Sequence, residues 1–188
     1  MEQVQEERPI STSSKLSSSD KISPTPFKTP VEEERRLHTL INVYRNQWGL
    51  PSIRLSKSLC HVAQAHARDL FHYPPRKPCN SHSWSNHGPW QSVCYTDNHD
   101  GAERMWSKPR ELTNYHGNGF EIVSWVLGNP SLNSESALSS WQGSSLHRAV
   151  ILNQSVWSPF KWKAIGVGIY RNYAVLWFGE EEDPSGYW

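Results

Sequence analysis

The chain has 188 residues, enough for one domain with a core of its own and some residues to spare. Its formal net charge is +1 and only 36% of it is hydrophobic. That balance gives no field strong enough to draw nucleic acid or an anionic membrane, and no apolar run is long enough to span a bilayer. Ten tryptophans bring large, directional packing area, which can hold a loop-rich fold together.

Residues 1–30 are rich in Ser, Pro, Thr and Lys and poor in apolar side chains. They cannot offset the entropy of ordering, and they read as a disordered tail ahead of a single domain over 31–188. The opening MEQVQEERPI has neither a basic segment nor an apolar stretch, so no secretion signal is recognisable in it. A cytosolic chain, another export route or a different start all remain open at this point.

Leu37, Leu40, Ile41, Tyr44 and Trp48 recur at helical spacing, and Gly49 and Pro51 end that pattern. Ser56 can cap a second helix with Leu59, Val62, Ala63, Ala67 and Leu70 on its apolar face, stopped by Pro74-Pro75. A Gly/Pro/Asn-rich loop follows. A third helix is expected over Gly101–Trp106, ending before Pro109, and a short strand over Glu121–Trp125. Ala137, Leu138 and Trp141 mark a fourth helix, and Leu146–Ile151 a short fifth turn. AIGVGIY and YAVLWF, separated by Arg171-Asn172, read as a hairpin. Both faces of these strands are apolar, so they belong centrally with helices on each side. The expectation is an α+β, three-layer α-β-α sandwich.

The loop stretch CNSHSWSNHGPWQSVC, residues 79–94, concentrates two cysteines, two histidines and two tryptophans. Cys79 and Cys94 could close a short loop, as in an oxidising compartment, while Cys60 sits in a helical pattern as a small buried thiol. No CxxC, HExxH, GxSxG or glycine-rich phosphate loop occurs. Two of the nine histidines stand out: His82, between Ser81 and Ser83 in the loop, and His147 in SSLHRAVI beside the expected sheet. Glu111 and Glu121 lie in aromatic-rich surroundings, where a carboxylate needs a partner. Two imidazoles and one or two carboxylates converging in a cleft would suit Zn²⁺. His66 falls on the apolar face of the second helix and reads as core. His87, His99 and His116 lie in polar loops and read as solvated.

The order of these stretches resembles the CAP superfamily of cysteine-rich secretory, antigen 5 and pathogenesis-related 1 proteins, also called the SCP domain. The carrying segments are LHTLINVYRNQWGLPSIRLSKSLCHVAQAHARDL, CNSHSW, ELTNY, SSLHRAVILN and AIGVGIYRNYAVLWFG, spanning about Glu34 to Asp183. The Trp-heavy style is similar to a bacterial branch. The resemblance implies the same α-β-α sandwich, with a mainly antiparallel central sheet. It places Asn42 and Arg45 as an N-x-x-R pair that locks the first helix, and it favours a Cys79–Cys94 disulfide. It implies a cleft of two histidines and two glutamates that can take a divalent metal such as Zn²⁺: His82, His147, Glu111 from ELTNY, and a glutamate from a G-E-N motif. The region where G-E-N is expected reads GPWQSVCY and has no carboxylate, so Glu121 is the candidate replacement.

The resemblance implies a non-enzymatic, extracellular, monomeric module with a groove for a lipid- or sterol-like small amphipathic ligand or a protein or peptide partner. The alternative is a metal-dependent peptidase in which Glu111 or Glu121 is the general base, or in a weaker variant Ser83 the nucleophile.

Overall fold

The computed structural model describes residues 27–128 and 131–188. Most of the expected tail, residues 1–26, lies outside the described residues. Its last residues already lie against the domain: Phe27 packs edge-on against His61, and Pro30 is buried.

Among the described residues, six α-helices and four strands follow in the order α1 (Glu32–Gln47), β1 (Arg54–Leu55), α2 (Lys57–His72), α3 (Ala102–Trp106), α4 (Lys108–Leu112), β2 (Phe120–Trp125), α5 (Ser134–Gly143), α6 (Ser145–Ile151), β3 (Ala164–Tyr170) and β4 (Tyr173–Gly179), with a 3-10 turn at Ser155–Trp157 between α6 and β3. Ser56 caps α2 through Leu59 N at 2.9 Å, as its position before the apolar run requires. The expected third helix ends before Pro109, but the chain resumes at once as α4, because proline is at home in a first helical turn. β1 was not anticipated. Two residues are too few to show a periodic pattern.

The sheet order is β1-β3-β4-β2, with β1 parallel to β3 and the other pairs antiparallel. β3 and β4 are central, and their alternation divides the core. Ile165, Val167, Leu176 and Phe178 face α1, α5 and α6. Ala164, Val175 and Trp177 face α2. On that second face Gly166 and Gly168 let the α2 backbone rest on β3; a Cβ there would overlap the main chain at Leu59 and Ala63. The result is the expected three-layer α+β sandwich.

Buried polar groups tie the layers. Glu34 accepts from Gln64 Nε2 of α2 (2.8 Å) and from Ile169 N of β3 (3.0 Å). Asn42 and the Ile53 backbone exchange two hydrogen bonds (2.8 and 3.0 Å). Arg45 donates to Pro51 O at 3.1 Å, to Asn153 Oδ1 at 2.8 Å and to Ile151 O. The pair thus anchors α1 to the approach to β1 and to the end of α6.

His38 lies beside this anchor, 2.8 Å from Ile53 O. Burial lowers its pKa, more than the hydrogen bond to Ile53 raises it. The unfolded chain therefore takes up a proton near pH 6.5 that the folded chain resists. Stability is expected to fall as pH drops from about 7 towards 5. The His38→Gln variant should show a shallower slope in urea unfolding across that range.

Candidate functional site

The loop after α2 is a small stapled hairpin. Trp84 and Val93 exchange backbone hydrogen bonds of 2.9 and 3.0 Å, Asn80 N donates to Tyr95 O at 2.8 Å, and Cys79 is bridged to Cys94. Ser83 Oγ is held between the Tyr95 amide (2.9 Å) and the Tyr95 carbonyl (3.3 Å). This framework carries His82 and Trp84 to the sheet. Removing the bridge with Cys79→Ser/Cys94→Ser frees a loop of sequence separation 15. It is expected to cost about 3 kcal/mol in urea unfolding.

Glu121, on β2, meets that loop with both carboxylate oxygens. His82 Nδ1 donates to Oε1 at 2.8 Å, and His66 Nδ1 of α2 donates to Oε2. His66 also turns Nε2 to the Ser83 carbonyl at 2.9 Å, so both of its nitrogens face acceptors and both donate, the cationic form of the ring. Trp84 stacks on it, 4.2 Å between centroids and 6° between planes, which suits a cation against a π face. The Glu121 side chain is fully buried. Burial alone would raise its pKa, but the charges and hydrogen bonds of His66 and His82 together outweigh it and hold the carboxyl below its ordinary value.

His82 and Glu121 line a cleft of about 600 Å³ together with His147 from α6. Burial first, and the neighbouring His82 second, lower the His147 pKa and favour its neutral ring. Its Nδ1 is buried without a hydrogen-bond partner among the described residues. The rest of the cleft is mainly apolar, with Trp106, Phe120, Leu146, Val156 and Trp157. Leu146 and Val156 are 78% and 74% exposed, large aliphatic side chains left open at the cleft.

Three of the four residues expected at the site therefore share the cleft, and Glu111 does not line it. Glu111 instead accepts from Lys108 Nζ at 2.6 Å and from the Gln91 amide. A buried lysine needs that partner, so Glu111 is committed to Lys108. Sequence reasoning separated His66 from the site as core. It is core, fully buried, but it is also the second partner of Glu121. Its signal was present: a histidine on an apolar helix face needs acceptors, and a lone carboxylate in a strand needs donors. His99 also lines the cleft, 2.6 Å from Tyr95 Oη.

A divalent metal can be tested against these donors. Glu121 spends both oxygens on histidines, and among the described residues no three His, Cys, Asp or Glu side chains are arranged around one metal position. The residues that would hold one are His82 and His147, whose imidazoles line the same cleft. Glu121 would stand behind His82 as an orienting carboxylate. They do not fit a closed four-ligand structural site.

The model of the family described as "CAP: Cysteine-rich secretory protein family" matches residues 38–176. Among solved structures, the chain is similar to a cysteine-rich secretory protein from Staphylococcus aureus subsp. aureus Mu50, with TM-score 0.52 and 19% identity over 82% of this chain and 41% of that one. It is similar to an extracellular protein containing an SCP domain from Bacillus anthracis str. Ames, with TM-score 0.55 and 16% identity over 79% of this chain and 40% of that one. An outer surface protein from Borrelia burgdorferi gives TM-score 0.54 and 14% identity over 80% of this chain and 94% of that one. The chain thus spans about two fifths of the length of the first two. No curated protein matches it.

Proposed function

Since the chain belongs to the CAP, or cysteine-rich secretory protein, family, we propose that it is a non-enzymatic binding module whose cleft takes an amphipathic ligand. The observation that carries this reading is the composition of the cleft. An apolar lining with exposed Leu146 and Val156 shares the cleft with the polar groups of His82, Glu121 and His147. A mainly apolar cavity with a few convergent polar groups is the usual form of a small-molecule site.

The arrangement gives little support to hydrolysis. A general base needs a free lone pair aimed at water, and both Glu121 oxygens are engaged by imidazoles. The Ser83 hydroxyl is turned to the Tyr95 backbone rather than to a histidine. A divalent ion at His82 and His147 would supply a positive anchor for the ligand's polar end. The disulfide supports an oxidising, extracellular setting.

Calorimetry with zinc and with decanoate, a simple amphiphile, tests the two halves separately. Ala149 lines the cleft, so Ala149→Trp should fill its apolar part. Decanoate binding is expected to disappear in that variant, while zinc binding is expected to disappear only in His82→Ala/His147→Ala. Equal decanoate affinity in wild type and Ala149→Trp would refute the cleft as the site.

A further inference from the structure

The sheet stops at β2, which pairs with β4 along one edge only. The phase of that ladder fixes where its other backbone groups point. Val126 N donates to Asn172 O at 3.2 Å, and this pair continues the register that aligns Ser124 with Ala174 and Ile122 with Leu176. Hydrogen-bonded pairs therefore fall at Phe120, Ile122 and Ser124. The N–H and C=O groups of Glu121, Val123 and Trp125 point the other way, out of the sheet. Among the described residues none of these groups has a hydrogen-bond partner.

The cleft is wrapped around this same edge. Glu121 lines it from the α2 side of the sheet with His82 and Tyr95, and Ile122 lines it from the opposite side with His147 and Val150. The cleft thus straddles the plane of the sheet. The stapled loop forms one wall, α6 forms the other, and Phe120–Ile122 of β2 lie between them, while Val123 further along the edge is 6% exposed. Beyond the other end of β2, a second hollow of about 440 Å³ lies beside Trp125, Tyr173 and Pro78.

We propose that this slot is the position of an added strand, and that its occupant is an extended peptide that pairs with β2. The inference rests on the reading of the cleft as a binding site and narrows the class of ligand. An alkyl chain can cover the apolar wall but can neither donate to a carbonyl nor accept from an amide. A peptide backbone does both, at the spacing the edge presents. Its side chains alternate in direction. One set meets the imidazole wall of His82 and His99, and the other meets Leu146, Val156 and Trp157. The preferred peptide therefore alternates polar and apolar residues.

The probes are acetylated, amidated hexapeptides alternating Thr with Val, Leu or Phe, titrated into the full chain. Each is also made with N-methyl groups on one or the other alternate set of residues. N-methylation replaces an N–H with N–CH3 and leaves every side chain in place, and both versions carry the same kind of added methyl groups. A strand that pairs with β2 turns one set of N–H groups to the edge and the other to solvent. One N-methylated version is expected to bind about tenfold more weakly and the other within about twofold of the parent. The amide of Glu121, which lines the cleft, is expected to exchange more slowly with deuterium in the complex. Equal weakening by both versions, or no binding by any of the set, would overturn the added strand. In that event decanoate binding shows whether the cleft reading survives: saturable binding keeps it, and none removes both.

Discussion

Glu121→Ala is expected to lower the unfolding free energy by about 3–5 kcal/mol, because it strands a buried cation. His66 is fully buried, donates from both ring nitrogens and, among the described residues, has Glu121 as its one carboxylate partner. Without Glu121, the Nδ1–H of His66 has no acceptor among the described residues. His82 loses its Nδ1 acceptor at the same time. Glu121→Gln keeps the shape but offers one acceptor for two donors, and its amide N–H groups face one imidazole N–H. It should recover only part of the loss. Replacing the pair together, His66→Leu/Glu121→Leu, removes the stranded charge and should be less harmful than Glu121→Ala alone. Urea unfolding of the four proteins at neutral pH checks the order. A cost below about 1 kcal/mol for Glu121→Ala would mean that the carboxylate does not hold the loop to the sheet.

Arg45→Met is expected to cost a similar amount, about 3–5 kcal/mol summed over the buried acceptors it leaves unpaired. The guanidinium is 2% exposed, and burial lowers its pKa to about 10, so it remains charged at neutral pH. It satisfies the carbonyls of Pro51 and Ile151 and the side chain of Asn153, acceptors that come from two distant parts of the chain. Methionine fills the volume but leaves them unpaired. Arg45→Lys should help little, because a single ammonium cannot reach acceptors spread around a planar fork. The same unfolding series tests both, with intact far-UV dichroism expected for the folded fraction.

Most of the architecture can be read from residue patterns. The apolar periodicity of α1 and α2, the Ser56 cap and the hairpin around Arg171-Asn172 are local signals, and local energetics decide them. β1 and α4 lack such signals. β1 exists because β3 offers it an edge, and α4 because its first turn accommodates Pro109. The site is half readable for the same reason. His82 and His147 stand in recognisable segments. The tie between Glu121, His66 and His82 depends on which face of β2 meets α2 and the stapled loop, and a tertiary pairing across 55 residues leaves no mark on local spacing. Glu111 shows the reverse case: a residue placed by its motif is taken up by Lys108, three positions away on the same short helix.

The most direct test of the cleft is backbone NMR of the chain titrated with decanoate. Shifts are expected for Phe120–Ile122 at the β2 edge, for Leu146–Val150 of α6 and for Val156 and Trp157, with the outer face of α1 unchanged. Shifts centred instead on Tyr73, His87 and Trp90, which line a separate hollow of about 260 Å³, or no saturable shifts at all, would contradict the cleft as the binding site.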